Sequence, residues 1–111
     1  MEERKGYRFV KCTTGTQPEG TGALRKIRVP FRVLRKIAHA YQTMEGIGDD
    51  EVWDSTYQKI AEVVPEWNLV DSEGKPLPQP KDDYMVFDEL DDEELRWIFS
   101  EVLRGPAAPN A

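Results

Sequence analysis

The stretch "YRFVKCTTGTQPEGTGALRKIRVPF", Tyr7 to Phe31, decides the fold class. Tyr7 and Phe9 alternate with Arg8 and Val10, and Ile27, Val29 and Phe31 alternate with Arg28, Pro30 and Arg32, the two-residue period of a strand. The intervening "TTGTQPEGTGA" is rich in Gly, Thr and Pro, which is loop chemistry. The pattern supports either a long-looped hairpin or an extended arm that orders on a partner. If it is an arm, the rest of the chain must build the core.

From Pro30 the period becomes helical. Phe31, Leu34, Ile37, Ala38 and Tyr41 recur at three- and four-residue intervals, and Pro30 suits a first turn. A first helix is expected over about Pro30 to Met44, broken by Gly46 and Gly48. Asp49 or Asp50 caps a second helix with Val52, Trp53, Tyr57, Ile60, Ala61 and Val64 on one stripe, ending at Pro65. The final helix has the clearest start. Asp91 stands as N-cap with Glu94 three residues on, and Leu90 and Leu95 are placed to staple the first turn. Leu95, Ile98, Phe99, Val102 and Leu103 form its stripe, and Gly105 with Pro106 stops it. The expected fold is therefore mainly α, a small bundle of about three amphipathic helices with an N-terminal extended arm or β-hairpin. Residues 1–29 form the arm or hairpin, 30–104 the helical domain and 105–111 a flexible tail.

One domain of 111 residues has room for one modest core. No apolar run reaches the roughly 18 residues of a membrane span, and the charged N-terminus lacks a signal-peptide core, so a cytoplasmic location is expected. Cys12 is the single cysteine and reads as a reduced thiol. The net charge of −6 is unevenly distributed: residues 1–40 hold ten Lys or Arg against three Glu, and the remainder five against eighteen acidic residues. That asymmetry favours self-association or a charged partner, unless both ends are simply solvated.

The chemical motifs fail one by one. "DSEGKPLP" places Lys75 at the fifth position of a calcium loop and Gly74 at the fourth, so it reads as a tight turn, with Asp71 bonding backbone and Gly74 taking a positive φ. The acidic run "DELDDEEL" is a dipole-matched helix start. With one His, one Cys and no phosphate loop, no nucleophile and base pair assembles, so an enzyme is not expected and neither is a cofactor or metal. His39 reads as an exposed side chain. Arg32, Arg35 and Lys36 could track phosphates, but the second helix, which would be the reading helix, is acidic and repels them. Trp53, Tyr57, Trp67, Trp97 and Phe99 read as core or core edge. Trp97 lies off the centre of its stripe, and a partly exposed tryptophan is an interface anchor. With Arg32, Arg35 and Lys36 it makes the candidate partner surface.

"PEWNLVDSEGKPLPQP" (65–80) followed by "LDDEELRWIFSEVL" (90–103) resembles the tail assembly chaperones of long-tailed bacteriophages and related small phage tail proteins. The matching positions are Trp67, Asn68, Leu69, Asp71, Gly74, Pro76, Leu77 and Pro78, then Leu90 to Leu103, within about residues 30–104. The N-terminal "CTTGTQPEGTG" matches no part of that pattern. The resemblance implies a non-enzymatic protein that binds the tape measure protein, keeps its long helical and partly apolar chain soluble in the host cytoplasm, and helps recruit the major tail protein. It also implies that a longer frameshifted form accompanies many members. The rival readings are a structural virion component, such as a tail completion or head-tail connector protein, and a small DNA-binding regulator. On the chaperone reading the stiff 65–80 turn locks the last helix against the second, with Trp67 and Leu77 as fasteners.

Overall fold

The computed structural model describes residues 5–42 and 50–104. The segment that opens the chain is a hairpin: β1 (Tyr7–Lys11) pairs antiparallel with β2 (Gly22–Lys26), with Arg8 opposite Arg25 and Phe9 opposite Leu24. A third strand, β3 (Glu66–Trp67), pairs antiparallel with the other edge of β2, Ala23 opposite Trp67. The sheet order is β1-β2-β3. This overturns the mainly α expectation: the molecule is α+β, a three-stranded antiparallel sheet packed with helices.

The hairpin forms further back than the alternation of Ile27, Val29 and Phe31 indicates. β2 ends at Lys26, and Ile27 is already exposed, whereas Ala23, Leu24 and Arg25 are buried in succession. A central strand buried on both faces shows no alternation. Gly22 is required where the strands meet, because a Cβ there would press into the Val10 carbonyl and the Phe9 ring. The long loop is tied rather than loose. Gln17 Nε2 donates to the Val70 carbonyl and its Oε1 accepts from Val70 N, while Thr16 Oγ1 donates to Glu94 Oε2 at 2.8 Å.

The helices are α1 (Phe31–Gln42), α2 (Asp50–Val63) and α3 (Asp92–Arg104), with a 3-10 helix over Tyr84–Glu89. The short helix was unexpected. Asp83 starts it by accepting from Met85 N, and it delivers Val86 and Phe87 to the core. The core is otherwise built from Tyr57, Ile60, Val63 and Val64 of α2 and its exit, Trp67 and Leu69 beyond them, and Ile98, Phe99 and Val102 of α3. α1 packs on α2 and α3 but is rotated from the expected stripe: Ile37 and Ala40 are buried, while Phe31 is 75% exposed. The Gly46 and Gly48 break, Asp49 as a cap, the Gly105 and Pro106 stop and the 105–111 tail lie outside the described residues.

Sheet and last helix are joined by a charge. Arg25, with no exposed surface, donates from Nε to the Glu101 carbonyl at 2.9 Å and from Nη2 to the Val102 carbonyl at 2.5 Å. Carbonyls in the last turn of a helix lack intrahelical partners and carry its negative pole, so a guanidinium fork there satisfies both needs. Burial, and then the like charge of Arg8, draw the Arg25 pKa below its ordinary value, while Glu101 acts in the opposite sense.

Two predictions follow from these contacts. Arg25→Ala should destabilise the fold by about 3 kcal/mol in urea titrations, the loss expected for two hydrogen bonds from a charged donor, and Arg25→Lys should restore only part because an ammonium cannot bridge two carbonyls as a fork does. Tyr57 donates to Asp88 Oδ1 at 2.8 Å, and burial, then that bond and the Asp88 charge, push its pKa up from the ordinary 10.0. Above that pH the unfolded chain loses the phenolic proton while the folded one keeps it, so this contribution is complete below pH 10.0 and declines above it. The melting temperature of the parent should fall more steeply above pH 10.0 than that of Tyr57→Phe.

Candidate functional site

The 65–80 turn is a scaffold built residue by residue from the motif. Trp67 has no exposed surface; its backbone N–H donates to Gln79 Oε1 at 2.7 Å, its Nε1 to the Pro78 carbonyl at 3.0 Å, and its ring meets Phe87 edge-on at 5.4 Å. Asn68 is the bridge to the hairpin: its Oδ1 accepts from Gly22 N at 2.7 Å and its Nδ2 donates to the Gly20 carbonyl. Asp71 Oδ1 accepts from Glu73 N and Lys75 N, closing a turn in which Gly74 has a φ of +82°. Val70 and Pro76 face each other across an isolated antiparallel bridge, and Leu77 N donates to the Leu69 carbonyl, so Leu77 packs against the core between Pro76 and Pro78.

The helix cap has the reciprocal geometry the spacing predicts. Glu94 N donates to Asp91 Oδ1 at 2.7 Å and Asp91 N to Glu94 Oε1 at 3.0 Å. Leu90 and Leu95 both pack against the core. Glu94 does more than cap. Its other oxygen accepts from Thr16 and Gln17 of the hairpin loop, so the start of α3 and the N-terminal segment are pinned together.

Of the expected partner surface, Arg32, Arg35 and Lys36 are exposed on α1, but Trp97 is only 6% exposed. α3 is covered on more than its central stripe, since Glu94, Trp97 and Glu101 are buried as well. An apolar strip also stands open on α1. Phe31, Leu34 and Ala38 of α1, with Leu103 of α3, line a groove of about 450 Å³ that also includes Arg35. Through Leu34 it adjoins a second hollow of about 570 Å³ lined by Ile27, Val29, Pro30 and Arg28. An apolar strip beside a row of cations can receive the apolar face of a helix with acidic flanks. Comparison of the chain with known protein families, curated proteins and solved structures finds no match.

Among the described residues no group of three or more His, Cys, Asp or Glu side chains is placed to hold a metal ion, and no helix is long and apolar enough to cross a membrane. Sequence reasoning missed Phe31 as a surface residue because its spacing fits a buried stripe. It missed Gln79 and Gln17, whose amides satisfy backbone groups far along the chain and carry no local signal. Trp67→Ala should lower stability by about 3 to 5 kcal/mol, since it empties a fully buried aromatic site and leaves the Pro78 carbonyl without its donor. A melting temperature near the parent's would refute the fastening role.

Proposed function

We propose that this protein is a phage tail assembly chaperone that binds helical segments of the tape measure protein in the α1 groove and assists addition of the major tail protein. Two features support the reading. The resemblance rests on Trp67, Asn68, Leu69, Asp71, Gly74, Pro76, Leu77 and Pro78, which lie in β3 and the turn between it and the 3-10 helix, and on Leu90 to Leu103, which spans α3. The observation that carries the partner chemistry is Phe31, a large apolar side chain 75% exposed at the head of a groove flanked by Arg28 and Arg35. Large exposed apolar side chains gathered beside charges mark interaction surfaces. Arg32 and Lys36, exposed on the same helix, extend the cationic margin, and salt weakens such contacts.

The test is co-expression with the tape measure protein of the same phage genome, followed by soluble yield and co-elution on a sizing column. The parent chain should solubilise the tape measure protein and elute with it. Phe31→Glu, which alters an exposed position, should keep the parent's circular dichroism and lose co-elution. A tape measure protein that stays insoluble beside the parent chain would overturn the chaperone reading. Co-elution undiminished by Phe31→Glu would remove the α1 groove as its site.

A further inference from the structure

A further groove, of about 750 Å³, lies between β1 and α3, and Tyr41 near the end of α1 also lines it; it shares no lining residue with the Phe31 groove. It is lined by Arg8, Phe9, Val10 and Lys11 in unbroken succession. Strand side chains alternate between faces, so a groove lined by four consecutive residues follows the backbone edge rather than one face. That edge is open. β1 is the outer strand of the sheet, with β2 on its other side.

The register shows which groups point outward. Cys12 N donates to the Thr21 carbonyl and Ile27 N to the Gly6 carbonyl, so the even-numbered residues of β1 direct their backbone groups toward β2. Phe9 and Lys11 therefore direct theirs away from it. An unpaired row of this kind is a template for an added strand.

The chemistry beside the edge specifies what that strand must carry. Trp97, 6% exposed and lining the groove, has its Nε1 donor buried without an acceptor. Arg8 has Nε and Nη2 buried without acceptors, and it stands opposite Arg25, whose own fork is committed to Glu101 and Val102. Like charges directly opposite on a strand pair are unfavourable, and buried donors without acceptors are costly, so the missing component is an anion with acceptor oxygens. Lys11, Arg96 and Arg104 line the same groove, against Glu93 and Glu101. Arg96 is engaged by Asp92 and Arg104 by Glu101, so of the four cations lining this groove Arg8 and Lys11 have no acidic partner among the described residues.

We propose that this groove binds an extended acidic segment of a protein partner, which adds to β1 as a fourth strand and seats one carboxylate against Arg8 and the Trp97 indole N–H. A peptide fits better than a nucleic acid because the outward backbone groups of Phe9 and Lys11 pair with another peptide backbone as a strand, which a sugar-phosphate chain cannot do. The strand supplies backbone hydrogen bonds and the carboxylate supplies selectivity.

The probe is an acetylated, amidated octapeptide of alternating Thr and Glu, titrated into the full chain labelled with nitrogen-15. The Trp97 indole resonance is assigned with Trp97→Phe. The peptide should shift the Trp97 indole and the Phe9 and Lys11 amides, and its Gln counterpart should bind at least about tenfold more weakly. Arg8→Gln should weaken the Glu peptide by a similar factor while the far-ultraviolet circular dichroism stays that of the parent. Lys11→Pro removes an outward N–H and spares the bonds to β2, a substitution edge strands accept. It should abolish binding, whereas Lys11→Ala should bind within about threefold of the parent, as an exposed charge contributes little. The proposal is overturned by no shift at about 1 mM peptide, by equal binding of the Gln peptide, or by Lys11→Pro binding as well as Lys11→Ala. Tighter binding of oligothymidylate at the same resonances would overturn it too.

Discussion

The burial of Trp67 is the constraint on which the rest of the structure depends. Its backbone extends the sheet, opposite Ala23; its indole nitrogen donates to the Pro78 carbonyl; its ring and that of Phe87 meet at nearly a right angle. A single side chain thereby joins the end of α2, the stiff turn, the 3-10 helix and β2. Each of those elements is too short to be stable by itself, since a two-residue strand or a six-residue 3-10 helix gains little from its own hydrogen bonds. They persist because they share one apolar centre.

Around that centre, polar groups at the ends of elements are satisfied by residues far away in the chain. Arg25 completes the last turn of α3, Glu94 completes its first turn and reaches the hairpin loop, and Asn68 completes the strand at Gly22. α3 is thus fixed at both ends to the N-terminal segment. This arrangement explains why Glu94, Glu101 and Arg25 can be buried in so small a domain. Each buried charge meets backbone or side-chain partners, which offsets the cost of leaving water.

The parts legible in the sequence were those with local causes. The Asp91 and Glu94 box requires only three residues of separation, and the Asp71 to Gly74 turn is closed by its own side chain and a glycine φ. The hairpin was legible only as one of two alternatives, and its second strand lies further back than the alternation indicates, because nothing local marks Arg25 as a buried mid-strand residue. Its compensation lies in carbonyls 76 and 77 residues away. Trp97 was misplaced for a related reason: the helical period locates the centre of a stripe but not its width, and the buried flank of α3 extends beyond it to Glu94, Trp97 and Glu101. The exposed Phe31 shows the converse, an apolar residue on the correct period that the packing of α1 does not use.

The Asn68 and Gly22 pairing spans 46 residues, and the bonds from Thr16 and Gln17 to Glu94 span 78 and 77. During synthesis from the N-terminus, the hairpin therefore emerges long before anything that covers it. Contacts of such separation slow folding, because loop closure precedes its reward. Until residues 66–68 leave the ribosome, β2 has an open edge, and until α3 follows, the Arg25 guanidinium has no carbonyls to meet. The N-terminal third of this chain can therefore reach its final state only once α3 has been made.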